Sequence, residues 1–175
     1  MCLYKIKKLN KKKDITCYKV LYAVPNGSGG LSMLSLIKDY PYEMGVVHST
    51  NTDSPQIRQY YITGNSFHSF KTLYGAKKFV KCFLKQKPFT LPINSIAIII
   101  VKCIIPSDSN FIYKGRFIET DFNLRSYASE KIKPVEIVKY YPIGENKRKV
   151  KPYYPIGENK RKVKPVMFNP GTGDA

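Results

Sequence analysis

Two stretches of the chain are apolar and β-branched enough to be read as strands on their own. Ile15-Thr-Cys-Tyr-Lys-Val-Leu-Tyr-Ala-Val24 mixes β-branched and aromatic residues in near-alternation, the pattern of a strand packed in a sheet. Ile96–Ile105 is almost continuously apolar around Lys102. At about half the length a membrane-crossing helix needs, it is a buried strand and no membrane span. Shorter extended pieces follow the same logic: 46–48, 57–63, 111–115, 116–119, 127–132 and 134–138. Residues 31–38 fit either a short strand or one helical turn.

One helix stands out. Leu73, Ala76, Phe79, Val80 and Phe83 recur at helical spacing and form one apolar stripe, while Lys71, Lys77, Lys78, Lys81 and Lys85 fall mostly off it. Ser69 or Thr72 is placed to cap its start, and Pro88 and Pro92 forbid its continuation. The helix is expected over about 70–86. Turn chemistry punctuates the rest, at Pro25–Gly30, Pro41–Gly45, Gly64-Asn65 and Pro106–Asn110. The pattern predicts an α+β fold: a small antiparallel or mixed sheet of short strands with one main amphipathic helix.

The end of the chain breaks this pattern. Tyr140-Tyr-Pro-Ile-Gly-Glu-Asn-Lys-Arg-Lys-Val-Lys-Pro152 recurs unchanged over residues 153–165. Each copy holds proline and glycine, so neither sustains a helix. The copies are too short to be stacked structural repeats. We therefore expect a single domain over residues 1–138 with a lysine-rich start, followed by a disordered, duplicated, proline-rich basic tail over 139–175.

Charge sharpens the division. The chain carries 30 Lys and Arg against 12 Asp and Glu, a net +18. Residues 1–13 hold +6 and residues 139–175 hold another +6, so two thirds of the excess lies at the two ends. Blocks of like charge stay solvated and attract polyanions. Lys11, Lys12 and Lys13, with Lys147, Arg148 and Lys149 and their copies Lys160, Arg161 and Lys162, are the expected polyanion contacts. Phosphate neutralisation by such clusters is sequence-blind and sensitive to salt.

Sites with a definite chemistry are scarce. Cys2, Cys17, Cys82 and Cys103 are widely spaced, form no close ligand pair, and have only His48 and His68 to help, so no metal site is expected. The glycine cluster at 26–30 lacks the lysine and spacing of a phosphate-binding loop. Asp39 with Glu43, or Asp108 with Glu119, are better explained as partners of the many lysines than as catalytic pairs. His68 precedes the helix between two phenylalanines, where acid–base or phosphate chemistry is conceivable, although a half-buried structural histidine explains it as well. No cofactor is called for. The N-terminus has no apolar segment of a signal peptide behind its first lysines, and with free thiols a cytoplasmic location in a bacterial host is expected.

Met1-Cys-Leu-Tyr-Lys5, Cys17-Tyr-Lys-Val-Leu21, Gly64-Asn-Ser-Phe-His-Ser-Phe70, Val101-Lys-Cys-Ile-Ile-Pro106 and Tyr127-Ala-Ser-Glu-Lys-Ile132 carry a resemblance. Over residues 1–138 the chain resembles a group of small proteins from gut Bacteroides-type bacteria and their phages, which implies an origin and no particular activity. The duplicated tail lies outside it. The layout is also similar to ADP-ribosyltransferase folds, with Cys17–Leu21 and Ser66–Phe70 as first and middle strands and Glu130 or Glu136 as the late acid. That resemblance would give His68 and Glu130 the chemistry. It departs from the pattern in offering Lys19 where such folds carry Arg or His. The expected function is a small basic binding protein engaging nucleic acid, a nucleotide or a host protein, with a degenerate ADP-ribosyltransferase-like domain as the alternative.

Overall fold

The computed structural model describes residues 3–10, 13–27, 30–36, 40–58, 61–85, 94–117 and 124–143. In chain order these form β1 (Leu3–Lys8), β2 (Ile15–Pro25), β3 (Leu31–Ser35), β4 (Pro41–Tyr42), β5 (His48–Ser49), β6 (Gln56–Arg58), β7 (Tyr61–Gly64) and β8 (Phe67–Phe70). The helix α1 (Leu73–Lys85) follows, then β9 (Ala97–Ile105), β10 (Ile112–Phe117), β11 (Leu124–Ser129) and β12 (Lys131–Pro142).

The strands join in the order β5-β12-β9-β2-β8-β11-β10-β1-β7-β6, with β3 and β4 folded off β2 as a flap. Every pairing among the described strands is antiparallel. The sheet curls into a half-barrel whose middle strands are covered on both faces. On one face α1 lays Ala76, Phe79, Val80 and Phe83 against Val20, Phe70, Ile98, Ile100, Phe117 and Leu124. On the other, Cys17, Leu21, Ile99, Val101 and Cys103 meet Met33 and Tyr42 of the flap, together with Phe67 and Tyr127. Strands β2 and β9 lie mid-sheet between these two cores, so they read as long apolar runs where a half-solvated strand would alternate strictly.

The expectation of an α+β fold built on a small sheet is overturned. Among the described residues the fold is mostly β, 58% strand, with one helix. Three features of the sequence hid the strands. β1 was read as part of a lysine-rich arm; Lys5 has a positive φ of 51° and a register shift lies between Tyr4 and Lys7, so its alternation breaks after three residues. β10 runs straight through Gly115, which was taken as a break between two pieces. Ser66–Phe70, read as the approach to the helix, contains the buried strand β8.

The helix itself matches its stripe. It is capped by Thr72, whose Oγ1 accepts from the Gly75 N–H at 3.1 Å. β12 continues past residue 138 to Pro142, pairing Tyr140 with Ile99 and Tyr141 with Ile98. Residues 144–175, with most of the tail, lie outside the described residues.

Candidate functional site

Opposite residues of an antiparallel pair share a face, so the register places a row of side chains across four strand ends. Tyr4 stands opposite Arg116, and Arg116 opposite Arg125. The Lys71 N–H donates to the Arg125 carbonyl at 3.0 Å, bringing Lys71 beside that arginine. One step along the strands is a second row: Lys7 opposite Lys114, Lys114 opposite Tyr127, and Tyr127 opposite Ser69. Lys7, Lys71, Lys114 and Arg125 are exposed and Tyr4 and Arg116 half-buried, while Tyr127 closes the floor at 8% exposure.

Among the described residues, the cations of this face lack acidic partners. Among the described residues the ion pairs are Lys102–Glu136 at 4.0 Å and Lys131–Asp108 at 2.8 Å, and neither touches the two rows. Carboxylates gather instead around the loop Pro106–Asn110, at the opposite end of β10. Ser107 N–H donates to Asp14 at 2.9 Å, Asn110 Nδ2 to Asp53 at 3.3 Å, and Asn110 N–H to Glu130 at 2.6 Å. Six strand residues separate that loop from the end of β10, on the order of 20 Å. The described domain is therefore electrically polarised along β10.

Behind the exposed rows, the same face holds a buried polar cluster. Lys19, 6% exposed, donates from Nζ to the His68 carbonyl oxygen at 2.8 Å and lies 5.1 Å from the centre of the Tyr42 ring. Burial lowers its pKa to about 8, with the Cys103 and Cys17 thiols opposing that shift. Burial also pushes the Tyr42 phenol well up.

Cys17 stands opposite Cys103, and both are fully buried. Burial works against a Cys17 thiolate. The neighbouring Cys103 and Ser69 side chains, with the Lys19 charge, outweigh it and hold Cys17 below the ordinary thiol range. The neighbouring Cys17 and burial push Cys103 up, and its thiol donates to the Val101 carbonyl oxygen at 3.6 Å.

Of the residues singled out in the sequence, Lys13 is exposed before β2; Lys11, Lys12, Lys147, Arg148, Lys149, Lys160, Arg161 and Lys162 lie outside the described residues. His68 is buried in β8, its Nε2 3.0 Å from Ser66 Oγ. Glu130 is buried and clamps loops: one oxygen accepts from Asn110 N–H and the other from Ser49 Oγ at 3.3 Å. Sequence reasoning missed Lys7, Lys71, Lys114, Arg116 and Arg125 as a group, because four separate segments supply them. The available signal was alternation: Lys114-x-Arg116 and Arg125-x-Tyr127 each put two residues on one face of a strand.

No protein-family model matches the chain, and no curated protein or solved structure matches it significantly.

Proposed function

We propose that the protein binds single-stranded nucleic acid along the β1–β10–β11 face. The observation that carries this reading is the pair of cross-strand like-charge contacts, Lys7 with Lys114 and Arg116 with Arg125. Like charges directly opposite on a sheet are destabilising, and no described carboxylate relieves them. A phosphate backbone would, releasing its own counterions as it does so.

Tyr4 stands at the end of the arginine row, where its ring offers a base a stacking partner, and Arg116 beside it offers a guanidinium plane. Neighbouring strands are about 4.8 Å apart, so the row forms a continuous cationic track. Recognition of this kind follows the backbone and tolerates any base sequence. The lysine clusters at 11–13, 147–149 and 160–162 add charge to the same task. A double helix is the weaker candidate, because a curled sheet face presents no element shaped for a groove.

Lysine acetylation footprinting of the full chain, with and without an oligothymidylate, tests the location. Protection of Lys7, Lys71 and Lys114, with Lys77 and Lys81 of α1 reacting as before, is the expected result. Protection confined to the helix or the tail lysines would contradict it.

A further inference from the structure

We propose that Cys17 and Cys103 are a redox-active dithiol that closes into a disulfide across β2 and β9, with a small peroxide as oxidant. The two residues are direct register partners in the middle of the sheet. Opposite residues of an antiparallel pair have Cα atoms about 4.5–5.5 Å apart, inside the range a disulfide spans without backbone movement. Alternation sends both side chains to the flap-covered face, where both belong to one buried cluster.

The surroundings favour reaction at Cys17. The Lys19 side chain, two residues along the same strand and on the same face, brings positive charge beside Cys17 and favours its thiolate. A structural, inert thiol sits in apolar surroundings; a reactive one sits beside a cation and donors. Cys82, half-buried on α1, is on a helix and has no cross-strand register partner.

The chemistry balances. The Cys17 thiolate attacks one peroxide oxygen, the O–O bond breaks, and the departing hydroxide takes up the proton that Cys17 had lost, leaving as water. Cys17 is then a sulfenic acid. The Cys103 sulfur attacks the Cys17 sulfur, the S–O bond breaks, and a second water leaves with the Cys103 proton. Two thiols are oxidised by two electrons in all, and one peroxide is reduced to two waters.

Access runs through the flap. Tyr42 covers Lys19 from β4, a strand of two residues that pairs with β3 alone among the described strands, so few backbone bonds break when it lifts. Hydrogen peroxide, little larger than water, fits such an opening where a bulky disulfide reagent does not. Lys19 acts here as a positioning residue that holds the thiolate.

The test is to treat the folded full chain with hydrogen peroxide, block remaining thiols in denaturant, and map peptides without reduction. The expected product is a Cys17–Cys103 cross-linked peptide, with the protein lighter by two hydrogens and Cys82 still open to alkylation. Cys17 and Cys103 remaining free while Cys82 oxidises, or a disulfide formed by other partners, would overturn the proposal. In Lys19→Met the pH at which oxidation reaches half its maximal rate is expected to rise, with the rate at neutral pH falling about tenfold for each unit of that rise; an unchanged pH profile would remove Lys19 from the mechanism.

Discussion

Arg116 of β10 faces Arg125 of β11 across the sheet, with Tyr4 on one side and Lys71 on the other. Cross-strand pairs of opposite charge are the usual choice at such positions, and each is worth roughly 0.2–1 kcal/mol relative to alanine. Here the arrangement sacrifices that stability and keeps a cationic track. Stability and binding should therefore respond in opposite directions. Arg125→Glu is expected to raise the unfolding free energy modestly, by about 0.5 kcal/mol, seen as a higher urea midpoint, while weakening oligonucleotide binding. Loss of both stability and binding in this variant would argue that Arg125 is a structural residue.

Gly115 links the fold to the same track. A Cβ there would lie 2.9 Å from the Tyr4 carbonyl oxygen and 3.2 Å from a Leu3 methyl carbon. Backbone on one side and core on the other leave little room to relax. Gly115→Val is expected to push β1 away, costing about 1–3 kcal/mol and displacing Tyr4 and Lys7. Denaturant unfolding checks the first effect and oligonucleotide affinity the second.

Glu130 is expected to matter for stability and not for binding. Replacing it with alanine leaves the Asn110 N–H without its acceptor and releases Ser49, a loss of about 1–3 kcal/mol for a partly buried donor left unpaired. Oligonucleotide affinity should stay within twofold of the unmodified chain, since the carboxylate lies at the other end of β10. A large fall in affinity with little change in stability would instead mark Glu130 as part of a ligand site.

Lys19 makes a pH prediction. Its pKa falls from the ordinary 10.5 to about 8 on folding, so between those values the unfolded chain holds a proton that the folded chain has lost. Stability therefore rises with pH above about 8. A difference of about 2.5 units corresponds to roughly 3 kcal/mol in full, although only part of it is seen before titration in the unfolded chain of Cys103 from its ordinary value of 9.0 and of Tyr42 from 10.0 opposes it. Urea unfolding between pH 7 and pH 10 should show the rise in the unmodified protein. It should be absent in Lys19→Met, which replaces the buried amine with an apolar side chain.

How much of this was legible depended on whether a signal was local. The stripe Leu73, Ala76, Phe79, Val80, Phe83 announced α1 because helical periodicity survives within a single segment. β2 and β9 announced themselves because burial on both faces makes a long β-branched run. β1 was not legible: the positive φ at Lys5 shifts its alternation, and Leu3 and Ile6 are recognisable as core only beside Ile62 and Ala128.

The candidate site was hidden for the same reason. Lys7, Lys114, Arg116 and Arg125 come from three segments, and only the order β11-β10-β1 puts them together. The total charge pointed to the ends of the chain. The cross-strand register drew attention to the folded face, and likewise turned two distant cysteines into partners.

The most direct measurement is the salt dependence of binding to a short oligothymidylate, for the full chain and two variants of it. One variant carries Lys114→Gln, Arg116→Gln and Arg125→Gln; the other carries glutamine in place of the bases at 147–149 and 160–162. If the face carries the binding, the first variant loses most of its affinity and its slope of log affinity against log salt falls by about 2, near 0.7 for each phosphate contact. The tail variant should still bind, more weakly, with Lys7 and Lys114 protected as before. An unchanged slope in the first variant, together with loss of binding in the second, would contradict the account and leave the sheet face without a ligand.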